Sequence, residues 1–136
     1  MITNRIYLDE TKDDVYLEVF VPDKLTHHKS PAILVCPGGG YSFVSPREAE
    51  PIVRRFFGEG MNAYLLNYSI KERAKDYAPL IQVAKAIKLV RERAAVDNTD
   101  PKKIYVIGFS AGGHLCATAA TMAKNKPAAA ILVYPA

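Results

Sequence analysis

One short segment combines a reactive side chain with the backbone turn that could present it. Residues 108–112 read GFSAG; they follow the apolar run at 104–107 and precede small residues compatible with a helix. This order predicts a strand, a sharp turn and a helix, with Ser110 at the apex of the turn. A serine held in this way is a nucleophile for acyl transfer. We call Gly108 to Gly112 the elbow.

A second glycine-rich turn, Pro37–Gly40, follows the uninterrupted apolar run Ala32–Cys36. Such a run predicts a strand buried on both faces. Neighbouring strands lie about 4.8 Å apart, so adjacency of the two strands would put this turn beside Ser110. Its backbone N–H groups could then bind the oxyanion that forms when the serine attacks a carbonyl. The candidate oxyanion donors are the N–H groups of Gly39, Gly40 and Ala111. Tyr41 either lines the substrate pocket or packs onto the sheet.

The side chains that would activate the serine are not evident. Only 26 residues follow Ser110, none is Asp or Glu, and His114 is the one histidine among them. A base must come within about 3 Å of the serine oxygen. One turn into the helix, His114 is expected to pack beneath the elbow or bond to backbone. Because the acid and histidine of such sites come later in the chain, we expect a chain truncated after about the sixth strand and inactive alone.

The remaining pattern alternates strands and helices. After two initial strands the order β-α-β-α-β-α-β predicts parallel strands joined by right-handed crossovers. The predicted strands are Arg5–Leu8, Val15–Val21, Ala32–Cys36, Asn62–Tyr68, Ile104–Ile107 and Ala129–Tyr134. Loops are predicted at 24–30 and, as a turn, at 97–101; the helices are expected from Glu50 to Phe57, Tyr77 to Ala95 and Ala111 to Ala123. Ser45 and Glu48 have capping-box spacing, and Gln82 is expected on a solvent-facing stripe.

Composition excludes several classes of protein. The hydrophobic fraction of 49% and the charged fraction of 24% are typical of a globular domain. No apolar run reaches the ~20 residues of a membrane span, and no signal peptide is visible, so a cytoplasmic location is expected. The net charge of +4 is scattered, which disfavours nucleic-acid binding. His27 and His28 lack a Cys or carboxylate pair nearby, so no metal site is predicted, and Cys36 and Cys116 are expected to be core residues.

Four segments together resemble the α/β-hydrolase superfamily: CPGGGY (36–41), SPREAEP (45–51), LNYS (66–69) and DPKKIYVIGFSAGGHL (100–115). The nearest branch is similar to the microbial esterase/lipase group that includes acetyl xylan esterases. The PGGGY segment stands where hormone-sensitive-lipase relatives carry HGGG. The resemblance implies an α/β-hydrolase fold, a mostly parallel sheet with antiparallel first strands and helices on both faces. It makes residues 1–136 the N-terminal portion of a single domain.

The same resemblance implies Ser110 as nucleophile and oxyanion N–H groups around Gly39, Gly40 and Ala111. It implies no metal or organic cofactor, and no position here matches the family's acid and histidine. We expect a serine carboxylic-ester hydrolase that takes a small ester substrate, such as an acetylated sugar, through an acyl-enzyme. The alternatives are an α/β-hydrolase peptidase and a non-catalytic flavodoxin-like module, whose glycine turns hold phosphate. The last strand is expected to be an apolar sheet edge at which copies can self-associate.

Overall fold

The computed structural model describes residues 2–9, 11–22, 28–122, 124 and 126–134, and these form one six-stranded sheet with helices. The strands are β1 (Ile2–Tyr7), β2 (Tyr16–Val21), β3 (Ser30–Cys36), β4 (Asn62–Asn67), β5 (Thr99–Phe109) and β6 (Ala129–Val133). The α-helices are α1 (Glu50–Gly58), α2 (Ala78–Glu92), α3 (Ala94–Asp97) and α4 (Ala111–Met122), with 3-10 turns at Pro46–Glu48 and Lys71–Ala74. Most of the loop predicted at 24–30, and Ala123 at the predicted helix end, lie outside the described residues.

The strand order is β1-β2-β4-β3-β5-β6. The first two pairings, β1 with β2 and β2 with β4, are antiparallel. The other three pairings, β4 with β3, β3 with β5 and β5 with β6, are parallel. The prediction of a mostly parallel sheet with an antiparallel start is confirmed. β3 and β5 are adjacent, so both glycine-rich turns lie at the same edge of the sheet.

Apolar side chains cover both faces of the sheet. On one face they pack against α2 and α4, and on the other they pack against α1. Strand β3 shows the two-sided burial directly, because Leu34 belongs to the first cluster and its neighbours Ile33 and Val35 to the second. Alternate side chains of a strand point to opposite faces, and both faces are covered here. The helices therefore hold the carboxyl ends of β3 and β5 in a fixed relation.

The boundaries differ from the prediction in several places: β1 begins at Ile2 instead of Arg5, and β3 begins at Ser30 instead of Ala32. β5 begins at Thr99 instead of Ile104, so the predicted turn at 97–101 is wrong beyond its first two residues. Thr99 pairs with Ser30 of β3, and its buried hydroxyl accepts a hydrogen bond from Asn62 Nδ2 at 2.8 Å. The long predicted helix ends at Glu92, and a separate short helix follows. The longer β5 comes from pairing with a distant residue, which local periodicity does not contain.

Gln82 is buried, so the prediction that it faces solvent is wrong. Its Nε2 donates to Ser69 Oγ at 2.7 Å, and its Oε1 accepts from the Ser69 N–H at 2.8 Å. Ser69 is itself fully buried after β4, and buried polar groups require partners. The glutamine therefore supplies hydrogen bonds to the loop that leaves β4.

The described part of the chain contains no helix that is long and apolar enough to cross a membrane. A cytoplasmic location stays a prediction from the sequence. At the sheet edge, Ile131 and Leu132 of β6 are 46% and 42% exposed. Self-association through this edge also stays a prediction.

Candidate active site

Ser110 stands alone between the end of β5 and the start of α4. Its φ of 53° lies in the left-handed region, which costs a non-glycine residue about 1–3 kcal/mol and persists only where the surroundings enforce it. Two backbone hydrogen bonds do so: the Ser110 N–H donates to the Val133 carbonyl at 2.9 Å, and its carbonyl accepts from the His114 N–H at 3.1 Å. Within the described ranges the hydroxyl makes no hydrogen bond. The structure thus presents a free serine oxygen on a fixed turn.

The two glycines of the elbow are required by close packing. A Cβ on Gly108 would stand 2.2 Å from the Gly112 carbonyl oxygen. A Cβ on Gly112 would stand 2.0 Å from the Cys36 carbonyl oxygen and 2.6 Å from that of Pro37. Both separations are far shorter than a carbon–oxygen contact allows. The glycines therefore let the start of α4 lie directly against the end of β3.

The Pro37–Gly40 turn lies beside the serine, as the sequence predicts. Cys36 pairs with Gly108 across β3 and β5, and a Cβ on Gly38 would stand 3.1 Å from Ser110 Cβ. Gly39 and Gly40 have φ values of +136° and +61°, which side chains rarely permit. Across the described part of the chain, no acceptor takes a hydrogen bond from their N–H groups. The Ala111 N–H, first in α4, has no intrahelical partner either.

Two side chains fix the Pro37–Gly40 turn by hydrogen bonds to its backbone. The Tyr68 hydroxyl donates a short hydrogen bond to the Pro37 carbonyl. Glu48 Oε1 accepts from the Gly38 N–H at 2.9 Å. The capping-box spacing of Ser45 and Glu48 does not correspond to a cap: Ser45 makes no side-chain cap, and its N–H donates to the Gly38 carbonyl at 2.9 Å. Because the Gly38 N–H is already bonded, it is not a candidate oxyanion donor.

Glu48 is the functional candidate that the sequence reading missed. A glutamate three residues after a serine fits a capping box equally well. Its actual partner lies ten residues earlier in the chain and on another element. A carboxylate shortly after a glycine-rich turn was the available signal, but the spacing alone did not separate the two interpretations.

His114 is exposed, so the prediction that it packs beneath the elbow is wrong. Its Nδ1 lies 2.9 Å from the Tyr41 hydroxyl, and the two rings meet edge to face with centroids 6.5 Å apart. Among the described residues its ring makes no hydrogen bond to the Ser110 hydroxyl. The helix turns this position outward, one turn beyond the serine, which agrees with the prediction that His114 does not meet the serine oxygen.

Tyr41 lines a cleft next to the elbow. The cleft has a volume of about 520 Å³, with Leu80, Leu115 and the exposed Tyr77 also on its walls. Tyr41 has a φ of 62°, and burial raises the pKa of its phenol, which therefore stays protonated at neutral pH. The arrangement keeps a hydroxyl at the cleft wall, 3.5 Å from the Ala111 carbonyl of the elbow.

Other candidate groups have no chemical role in the described structure. Cys36 and Cys116 are free and fully buried, which confirms them as core residues. A hydrogen bond with Cys116, together with burial, raises the pKa of Cys36 well above its ordinary value, so it is a thiol at neutral pH. Over the residues that are described, no three His, Cys, Asp or Glu side chains form a metal-binding group. His27 lies outside the described residues.

Comparison with known proteins identifies relatives of this chain. Residues 17–130 match the BD-FAE family. The chain is 36% identical over 108 residues to esterase LipQ of Mycobacterium tuberculosis, covering 79% of this chain and 25% of that protein. It is 34% identical over 107 residues to an acetylxylan esterase of Xylanibacter ruminicola, covering 76% and 22%.

Solved structures agree with this assignment. MGS-M1, an α/β hydrolase from a Medee basin deep-sea metagenome library, superposes with a TM-score of 0.94 at 43% identity. The match covers 100% of this chain and 57% of that one. An acetyl ester-xyloside bifunctional hydrolase from Caldicellulosiruptor lactoaceticus gives a TM-score of 0.82 at 30% identity, covering 97% and 57%.

This chain thus spans a quarter or less of these two curated relatives and somewhat over half of these two solved structures. Its six-stranded sheet, with helices on both faces, is the corresponding part of the α/β-hydrolase fold. The esterases among the relatives agree with the resemblance that the two glycine-rich turns of this chain help to carry. On the family match and this fold, the chain belongs to the BD-FAE family, which is α/β-hydrolase-like.

Proposed function

We propose that these residues carry the nucleophile and the oxyanion donors of a serine carboxylic-ester hydrolase. One observation carries the proposal: the free hydroxyl of Ser110, on a strained turn, lies beside a glycine turn whose Gly39 and Gly40 N–H groups are unpaired in the described structure. The esterase names of several relatives support the same reaction class. We further propose that residues 1–136 form the N-terminal portion of a single α/β-hydrolase domain.

The proposed reaction has two acyl-transfer steps. Ser110 Oγ bonds to the ester carbonyl carbon while its proton passes to a histidine base, and the carbonyl oxygen becomes an oxyanion. The N–H groups of Gly39, Gly40 and Ala111 bind that oxyanion. The carbon–oxygen bond to the alcohol then breaks, and the alcohol departs with the proton. Water, deprotonated by the same histidine, attacks the acyl-enzyme and releases the carboxylic acid.

The triad acid and histidine are proposed to come from outside these 136 residues. In the described ranges neither a histidine nor a carboxylate bonds to the Ser110 hydroxyl. Without an aligned base a serine is a weak nucleophile. We therefore expect these residues alone to hydrolyse esters negligibly, retaining at most the ~10³–10⁴ rate enhancement that remains when triad members are removed from other enzymes.

The proposed substrate is a small ester, and an acetylated sugar is the favoured class. The support is the acetylxylan esterase among the relatives and the acetyl ester-xyloside hydrolase among the solved structures. The cleft lined by Tyr41 and His114 is the proposed place for the acyl or alcohol group. No metal or organic cofactor enters the proposed reaction.

The test uses a hybrid chain, in which residues 1–136 are followed by the remaining C-terminal segment of MGS-M1. The 43% identity and the close superposition make this junction feasible. We expect the hybrid chain to hydrolyse p-nitrophenyl acetate, the Ser110→Ala hybrid to lose that activity, and residues 1–136 alone to be nearly inactive. A folded hybrid chain without Ser110-dependent turnover would count against the proposal.

A further inference from the structure

We propose that Glu48 is a positioning residue that holds the Pro37–Gly40 turn, which we call the oxyanion turn, in its active geometry. The inference rests on the proposed function of that turn, since a positioning role has meaning only if the turn binds an oxyanion. Glu48 closes the short 3-10 turn Pro46–Glu48 and is half-buried. Its carboxylate reaches back along the chain to Gly38 of the Pro37–Gly40 turn.

The contacts place the carboxylate behind the turn and close to the serine. Oε1 accepts from the Gly38 N–H at 2.9 Å. The point where a Gly38 Cβ would stand is 2.8 Å from that oxygen and 3.1 Å from Ser110 Cβ. The carboxylate, the turn and the nucleophile are therefore packed around one glycine, and a side chain at position 38 would separate them.

A run of three glycines needs such an external hold. Glycine has more backbone freedom than any other residue, so the segment has little conformational preference of its own. The Gly38 and Gly39 carbonyls accept from the N–H groups of Ser45 and Ser42, at 2.9 and 3.0 Å. Those bonds fix the two acceptors, whereas Glu48 fixes the Gly38 donor. The Gly38 and Gly39 carbonyls lie in the same peptide planes as the Gly39 and Gly40 N–H groups, and the Glu48 bond fixes the Pro37–Gly38 plane that precedes them.

The second carboxylate oxygen ties the turn to the other side of the elbow. Oε2 accepts a short hydrogen bond from the Tyr134 hydroxyl. Tyr134 follows β6 directly, and its ring packs edge to face on Phe109, with centroids 6.1 Å apart. The residue before it, Val133, accepts the Ser110 N–H. One side chain thus links the oxyanion turn to the segment that holds the nucleophile.

Both oxygens of Glu48 already have hydrogen-bond partners, so the carboxylate acts through the backbone and does not itself act on substrate. Glutamine can keep the acceptor for Gly38, whereas alanine removes it. Glu50 is a matched control, because it lies two residues further on and pairs with Arg54 at 2.6 Å on the exposed side of α1. These variants separate the contact to Gly38 from a general loss of negative charge.

The first measurement follows the Gly38 amide by NMR in the hybrid chain. Pro37–Gly38 is the only Pro-Gly pair in these 136 residues, so ¹³C-carbonyl proline with ¹⁵N-glycine labels one known amide here. We expect a downfield proton that moves upfield in Glu48→Ala, stays nearly in place in Glu48→Gln and is unchanged in Glu50→Ala. A Gly38 amide proton whose chemical shift is unchanged in Glu48→Ala would overturn the inference.

The second measurement is steady-state hydrolysis of p-nitrophenyl acetate by the same hybrid chain. We expect Glu48→Ala to lower kcat about 10- to 100-fold with little change in KM, as misplacement by about 1 Å does elsewhere. Glu48→Gln should restore most of kcat, and Glu50→Ala should match the unmodified protein. If Ser110→Ala abolishes turnover while Glu48→Ala equals Glu50→Ala, this inference fails alone. If no turnover depends on Ser110, the proposed function fails, and the inference fails with it.

Discussion

The packing of Gly112 gives the sharpest stability prediction. A methyl group at this position would stand 2.0 Å from the Cys36 carbonyl oxygen, whereas ordinary contact begins at 3.4 Å. Since the atoms it meets are backbone, α4 and β3 would have to separate by about 1 Å or more. We expect Gly112→Ala to lower the free energy of unfolding by about 3 kcal/mol, the upper end for overpacking. For a domain of this size that is roughly 10 °C in Tm.

Gly58→Ala is the matched control for this substitution. Gly58 ends α1, a Cβ there would meet nothing within 4 Å, and its φ is not in the left-handed region. The same change of side chain should therefore be neutral or stabilise by about 0.4–1 kcal/mol. Urea unfolding of the unmodified protein, Gly112→Ala and Gly58→Ala, followed by circular dichroism, measures both effects. A Gly112→Ala protein within about 0.5 kcal/mol of the unmodified protein would refute the close-packing argument.

Three further predictions concern other parts of the molecule. Asp97→Ala should cost about 3–5 kcal/mol in urea unfolding, because it leaves Arg93 and the Tyr64 hydroxyl without their buried partner; a loss below 1 kcal/mol would contradict this. His114→Ala should leave turnover of the hybrid chain within about tenfold, since a general base would contribute ~10²–10⁴. Leu132→Lys at the exposed edge strand should reduce self-association of residues 1–136 in sedimentation velocity, and an unchanged distribution would exclude this edge as the contact.

The sheet and the elbow were predictable from the sequence because their signals are local. An apolar run that ends in glycine marks the carboxyl end of a buried strand, and both β3 and β5 carry this pattern. Alternation with helices then orders the strands in parallel. The adjacency of the two glycine turns was conditional on neighbouring strands, and the pairing of Cys36 with Gly108 supplies that condition.

The remaining features depend on partners that lie far apart in the sequence. Glu48 and Gln82 look like surface residues on their own elements, and only the fold brings them to Gly38 and Ser69. The exposure of His114 depends on how α4 is rotated against the sheet, because each residue along a helix turns the side chain by about 100° around the axis. The polar beginning of β5 is a strand only because Ser30 pairs with Thr99.

The central claim is that Ser110 is the acyl-accepting nucleophile, and trapping the acyl-enzyme tests it most directly. The hybrid chain is mixed with p-nitrophenyl acetate, quenched in acid during turnover and digested for mass spectrometry. The account predicts one acetyl group on the peptide that contains Ser110 and none on that peptide from the Ser110→Ala chain. Rapid turnover with the acetyl group on a different residue, or unchanged turnover by the Ser110→Ala chain, would contradict it.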